Sequence, residues 1–427
     1  MNAVELMRAS FDAAVAAADP LRIVAAHLPQ FPPSRVKVVG AGKAAASMAL
    51  AVERAWLDVA LEGLVITRYA HGAPTERIRV VEAGHPVPDD AGEGAARDIM
   101  QLVSSLRRGD LLLALISGGG SSLLSLPVPE VSMASLKSVT TKLLASGAPI
   151  GEMNIVRKHL SQIAGGQLAA AATKHGARVL ALMISDVTGD APTDIASGPC
   201  AADPSTYADA LAVLSRWNVE APVDVSSWLR RGADGLVDET PKPGDPLFGQ
   251  VENRVIASAH RSLEAAAEVL RSAGIDAFVL GDTVTGEARE VAKVYAALVR
   301  EIRAHHQPFK PPVALISGGE CTVTLPPGVT GRGGRCTEFL LSLAFELQGM
   351  PDVDALAADT DGIDGTEDNA GAWLRPESVA QAATQGVSAR EALDRCDSYG
   401  FFLAAGGLIH TGPTRTNVND YRVILLG

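Results

Sequence analysis

Residues 117–122, Ser117-Gly118-Gly119-Gly120-Ser121-Ser122, close an apolar run from Leu111 to Ile116. A short apolar run ending in Gly reads as a buried parallel strand that opens into a loop. Three glycines there let backbone N–H groups close on an anion, and the Ser hydroxyls add donors. The six residues Ala114 to Gly119 recur, letter for letter, as Ala314 to Gly319, and the second copy continues with Glu320. The reading is two strand-to-glycine-loop units facing one cleft. Ser117, Gly118, Gly119, Gly120, Ser121 and Ser122 suit phosphate, and Gly318, Gly319 and Glu320 bring a carboxylate. Leu/Ile strands ending in Gly are common, so coincidence is the plain alternative.

Two cations stand at glycine-flanked helix starts. Residues 35–39 form a strand that runs into Gly40-Ala41-Gly42-Lys43-Ala44-Ala45. An ammonium at that point reinforces the positive end of the helix dipole and favours an anion. The turn also matches Gly-x-Gly-x-x-Ala of dinucleotide folds, but the strand 63–67 ends in Thr67-Arg68 where an acid would meet a ribose. Arg68 would suit a 2′-phosphate, so an NADPH reading stays open, with His85 as its general acid. The phosphate-loop pattern fails, because Ala44 stands where Ser or Thr is required. Further on, Gly331-Arg332-Gly333-Gly334-Arg335 opens a helix from Thr337, and Arg335 can engage carboxylate or phosphate bidentately.

Acids cluster after two other strands. The run Val179 to Ile184 ends in Ser185-Asp186-Val187-Thr188-Gly189-Asp190, with Asp194 close behind. The run 353–357 leads to Asp359-Thr360-Asp361-Gly362-Ile363-Asp364-Gly365. Such groups suit a hard, oxygen-ligated cation such as Mg2+, and turn or cap chemistry is the alternative. An EF-hand is excluded, since its twelfth position falls on Ala370.

These residues need a scaffold, and the chain supplies one. At 427 residues and 47% hydrophobic it can bury large cores, and its length suggests two or three domains. Val4, Met7, Phe11, Ala14, Val15 and Ala18 form a first amphipathic helix that Pro20 ends. Strands are expected at 35–39, 63–67, 78–83, 111–116 and 179–184, with a helix over 154–163 that Gly165-Gly166 stops. Residues 213–250 lack a strand pattern, which places a boundary there. Alternation then resumes with strand 253–258, helix 260–273, strand 275–280 and helix 286–303, implying a second parallel sheet. The expected division is 1–248 and 249–427.

The net charge of −12 argues against a nucleic-acid surface. No run of 18 apolar residues exists, so no membrane span is expected. The four cysteines show no Cys-x-x-Cys spacing, which implies a reducing compartment and neither zinc nor disulfides. With no signal peptide in view, the expected location is cytoplasmic.

Taken together, the chain resembles the class II glycerate kinases, the glycerate 2-kinase family whose C-terminal half is the MOFRL domain. The resemblance rests on Gly40 to Ala44, His85-Pro86-Val87-Pro88-Asp89, Ser117 to Ser122 and Asn154 to Gly166. It continues through Ser185 to Pro199, Gly333 to Glu338, Asp359 to Gly365 and Gly412 to Asp420. It implies an α/β protein with a Rossmann-like parallel-sheet N-terminal domain and a smaller α/β C-terminal domain. The active site would lie in the cleft between them. It further implies transfer of the γ-phosphoryl group of ATP to D-glycerate, with Lys43 and Arg335 as active-site residues. Gly40, Gly42 and the two glycine stretches would then bind nucleotide, with Mg2+ held by Asp186, Asp190 or Asp361. The family pattern Gly-Gly-Arg-Asn-Gln-Glu reads Gly333-Gly334-Arg335-Cys336-Thr337-Glu338 here, which touches acceptor identity. Relatives are often labelled hydroxypyruvate reductase, the rival reading. Partners are expected to be small molecules only, for a monomer or homodimer.

Overall fold

The structure is a computed structural model describing residues 2–427. It divides into two compact units. One runs from Pro20 to Ile256. The other comprises the residues up to Asp19 together with Ala257–Gly427.

The first unit is built on β1 (Val36–Ala41), β2 (Leu61–Arg68), β3 (Ile78–Ala83), β4 (Leu111–Ser117), β5 (Arg178–Ile184) and β6 (Val251–Ala257). Their order is β3-β2-β1-β4-β5-β6, and β1 to β5 pair in parallel. Every residue of β1 and β4 is buried, as expected of strands covered on both faces. The sheet progresses outward in opposite directions from β1 and β4, so their carboxyl ends flank a topological switch point, where open α/β sheets bind ligands. Gly40 lies opposite Leu115 there, and a Cβ on it would stand 2.2 Å from the Leu115 carbonyl oxygen.

A satellite core supports the switch point. The helices Met133–Ser146, Ile150–His159, Tyr207–Arg216 and Val223–Ala233 pack through Leu136, Met153, Val156, Tyr207 and Leu229. The helix expected over 154–163 is thus shifted N-terminally. It ends at His159 because the Leu160 carbonyl and the Gln162 amide pair with Val128 and Leu126 instead of continuing the helix.

The second unit holds β7 (Asp276–Gly281), β8 (Gly286–Glu287), β9 (Val313–Gly319), β10 (Cys321–Thr322), β11 (Val353–Asp359), β12 (Gly371–Leu374), β13 (Leu408–Ile409) and β14 (Asp420–Leu426). Its main sheet has the order β13-β12-β11-β14-β9-β7, and β8 pairs with β10 separately. Only β7 and β9 run parallel; the other main-sheet pairs are antiparallel. The expected second parallel sheet is therefore corrected. The C-terminal strand β14 inserts between β9 and β11 and runs against both, a pairing no local pattern announces.

The division also differs from the expected boundary in two places. The run 253–258 closes the first sheet as β6 rather than opening the second. The first helix, Ala3–Ala17, buries Leu6, Met7, Phe11 and Ala14 against Leu263, Ala266 and Leu270 of the second unit. Amphipathic spacing shows that a helix has a buried face, not which core receives it. Among the described residues no helix is long and apolar enough to cross a membrane.

Candidate active site

The glycine loop and the Lys43 turn meet at the switch point of the first unit. Lys43 donates its backbone N–H to the Gly118 carbonyl at 2.9 Å, and the Ala44 amide donates to Ser117 Oγ at 3.0 Å. The Gly42 amide binds Ile66 O, and the Ala45 amide binds Gly42 O. The Gly42, Lys43 and Ala44 amides, which in a dinucleotide fold would face a pyrophosphate, are thus bonded within the chain just ahead of the helix Ala45–Ala55. A Cβ at Gly42 would lie 2.1 Å from Ser117 Oγ. Gly40 therefore serves close packing of β1 on β4, and Gly42 that of the turn on Ser117 at the end of β4, while the Lys43 and Ala44 amides at this turn are engaged within the chain. What the packing leaves on the surface is the half-buried Lys43 side chain beside Gly119.

Gly119 adopts φ 80°, a conformation few side chains tolerate. A Cβ there would stand 2.8 Å from His85 Nε2 and 3.6 Å from Lys43 Cγ. The loop thus brings together His85, Lys43 and its own backbone. Sequence reasoning placed His85 in a family motif but gave it a chemical role only in hydride transfer.

Beyond the loop, Ser121 Oγ hydrogen-bonds Ser197 Oγ at 2.9 Å, and Ser197 donates to Asn154 Oδ1 at 3.1 Å. Ala196, Ser197 and Gly198 are all left-handed, with φ of 51°, 59° and 61°. Amides of Gly165 and Gly166 hold this strained turn by donating to the carbonyls of Ser197 and Gly198. Ser121, Ser122, Ser197 and Arg157 open onto a cavity of ≈ 100 Å³ with an apolar wall that includes Leu124, Leu126, Leu136 and Ile163. Asn154, Arg157 and Ser161 share a face in the sequence, but nothing local shows that Ser197 would complete it.

A buried ion pair props up the same region. Lys158 Nζ donates to Thr193 Oγ1 at 2.8 Å and lies 3.5 Å from Asp203 Oδ1. Asp203 also accepts from Ser205 and Thr240 hydroxyls. Burial alone would raise the Asp203 carboxyl, but Lys158, Ser205 and His159 outweigh it and hold it below its usual range. A depressed carboxylate stabilises the fold above the ordinary Asp value of about 3.9, and that contribution fades as pH falls through the lower folded value. Asp203→Asn should therefore cost about 3–5 kcal/mol at pH 7 and flatten the acid limb of a thermal-melt series. An unchanged acid limb would exclude Asp203 as its source.

In the second unit, Arg335 opens the helix Arg335–Leu347. Asp364 fixes that helix start: its carboxylate accepts from the Cys336 and Thr337 amides at 3.0 and 2.9 Å and from Thr337 Oγ1 at 2.7 Å. A Cβ at Gly334 would stand 2.2 Å from Asp364 Oδ1. Arg335 then reaches three carboxylates, with Nε to Asp420 at 2.7 Å, one terminal nitrogen to Glu320 at 2.5 Å and the other to Asp359 at 2.7 Å. Strand register gathers these acids. Asp420 pairs with Gly319 on β9 and with Asp359 on β11, so all three carboxylates share one end of the sheet. Burial opposes the charge of Arg335, but the carboxylates of Asp420, Asp359 and Glu320 outweigh it and hold the guanidinium more firmly protonated. The buried Arg422 takes the other oxygen of Asp420.

The second copy of the repeat is not a loop. Ser317, Gly318 and Gly319 stay within β9, and a Cβ at Gly319 would meet the Val284 backbone at 2.3 Å. Gly318 and Gly319 answer to packing, and Glu320 is an Arg335 partner. The acids expected to hold Mg2+ also differ in setting. Asp361 is buried, and its carboxylate caps the Ile363 amide at 3.0 Å. Asp186 and Asp190 lie half-buried on the loop after β5, with Asp190 at φ 53°. Among the described residues no three His, Cys, Asp or Glu side chains are grouped to hold a metal ion.

Residues 6–230 match a family described as a domain of unknown function, DUF4147, and residues 313–420 match the MOFRL family. A Pyrococcus horikoshii protein named glycerate 2-kinase is 39% identical over 92% of this chain and 87% of its own length. A glycerate kinase of solved structure from Thermotoga maritima is 37% identical and superposes with a TM-score of 0.87, covering 100% of this chain and 98% of that one. The chain belongs to the glycerate 2-kinase family. An Agrobacterium vitis protein named "Putative hydroxypyruvate reductase" is 48% identical over the full chain and 95% of its own length.

For this glycerate 2-kinase relative, the departure at Cys336-Thr337 has a structural answer. Cys336 is fully buried in the apolar core of the second unit. Thr337 is equally buried and binds Asp364 and Ser398. Both side chains serve the interior, so the substitution changes how the helix start is packed.

Proposed function

We propose that this protein phosphorylates the 2-hydroxyl of D-glycerate with ATP, giving 2-phosphoglycerate. The observation that carries the reading is the pocket beside the glycine loop. Its apolar wall suits a purine, and its hydroxyl and cationic side suits phosphate. Phosphoryl transfer is mainly positioning plus charge neutralisation, which calls for side chains already held in place. Lys43, next to Gly119, takes the transferring group. Arg335 takes the carboxylate of the acid in exchange for Glu320, whose side chain is 57% exposed, so the charge around the guanidinium stays constant. Mg2+ comes with the nucleotide, since that ion keeps several waters and needs only one or two carboxylates.

The names of some relatives favour hydroxypyruvate reduction. Against it stand the amides of Lys43 and Ala44, which are already bonded where a dinucleotide would need them. Purified protein given D-glycerate, ATP and Mg2+ should release ADP and form 2-phosphoglycerate. NADPH absorbance should hold steady with hydroxypyruvate. No ADP above background across several hydroxy acids would sink the kinase reading.

A further inference from the structure

Among the arginines of this chain, Arg157 has an unusual setting. Arg422 is buried and Arg335 half-buried, and both hold carboxylates. Arg289, partly buried, pairs with Glu338. Arg157 is half-buried on the pocket side of the helix Ile150–His159, and no Asp or Glu lies within ion-pair distance of it among the described residues. Its protein hydrogen bond goes to a neutral atom, Asn154 Oδ1, at 3.4 Å. Burial lowers its affinity for the proton, and no carboxylate offsets that. Placing an uncompensated guanidinium in a pocket is costly, and an anionic ligand removes the cost.

The pocket points the same way. In a chain of net charge −12, it is lined by two cations, Arg157 and Lys137, and by no acid. Lys137 is close enough to Asp89 to lower that carboxyl, so its charge is shared; that of Arg157 is not. Asn154, Ser197 and Ser121 join Arg157 to the glycine loop by consecutive hydrogen bonds. An anion at Arg157 is therefore continuous with the loop at the carboxyl end of β4.

We propose that Arg157 is the cation that binds the polyphosphate chain of the nucleotide, with the Ser121, Ser122 and Ser197 hydroxyls as neutral donors beside it. This rests on the kinase reading and adds a residue to it. A nucleotide is favoured over the hydroxy acid because the wall formed by Leu124, Leu126, Leu136 and Ile163 covers apolar surface that a three-carbon acid lacks.

The experiment is calorimetric titration of ADP into full-length wild type, Arg157→Lys and Arg157→Met, without glycerate, alongside thermal melts and steady-state kinetics. Loss of a charge-assisted contact should weaken ADP about ten- to a hundred-fold in Arg157→Met, with Arg157→Lys between it and wild type. Without ligand, Arg157→Met should melt at the same temperature or higher, because a half-buried charge with no carboxylate partner has gone. A purely structural arginine would lower it. The KM for ATP should rise and that for D-glycerate should not. Unchanged ADP affinity in both variants overturns the assignment while the kinase reading stands. A rise confined to the KM for D-glycerate also overturns it, placing the acceptor carboxylate on Arg157. Failure of wild type to bind ADP overturns both.

Discussion

Lys43→Ala should lower kcat about 10²–10³-fold, the scale seen when one preorganised charge contact to a transition state is lost. The expectation follows from how tightly the residue is held. Its backbone is tied on both sides, to Gly118 through its N–H and to Thr67 Oγ1 through its carbonyl. Its side chain passes Gly119 where a Cβ would come within 3.6 Å of it. An ammonium carried on a backbone held in this way would meet developing negative charge with little reorganisation, and so would act on kcat more than on KM. Lys43→Arg keeps the charge but adds a planar fork that this narrow space does not suit, so it should recover little. The check is steady-state kinetics with both substrates varied, with circular dichroism to confirm folding. A fall of less than about threefold in kcat for Lys43→Ala would remove Lys43 from the chemistry.

Arg335→Lys should act on stability as well as turnover. Register places Glu320, Asp359 and Asp420 at one end of three neighbouring strands, and like charges so placed repel. One guanidinium bridges all three, which an ammonium cannot do with the same geometry. Breaking buried ion pairs costs about 3–5 kcal/mol, and Arg335→Lys should approach that range in denaturant unfolding. Glu320→Gln should cost about 1 kcal/mol or less, because Glu320 is exposed. If Arg335 also holds the acceptor, Arg335→Lys raises the KM for D-glycerate more than that for ATP. Equal stability losses in Arg335→Lys and Glu320→Gln would refute the view that the two buried acids dominate the cluster.

The resemblance of the ordered motifs led to the right family, and local pattern led to the strands that carry them. β1, β4 and β5 were legible because buried parallel strands are continuous apolar runs closed by Gly or Ser. The helix starts near Lys43 and Arg335 were legible from the glycines before them, though the helices begin at Ala45 and Arg335, the second two residues earlier than expected. The repeat Ala114–Gly119 and Ala314–Gly319 was equally plain, and its implication was half wrong. The same six letters turn into a loop where Gly119 meets His85, and stay in a strand where β14 pairs along Gly318 and Gly319. A hexapeptide cannot know its neighbours.

What the sequence determined by itself was whatever depends on contacts a few residues apart: strand and helix periods and glycine turns. Tertiary structure alone decided everything that depends on register and partner choice. It joined Arg335 to acids 15, 24 and 85 residues away. It set Ser197 against Ser121 and gave Asp361 to a turn. It also left Arg157 in a pocket with no acid. Charge pairing acts through space at a few ångströms, and a linear chain records which charges exist, not which of them the fold brings within that reach.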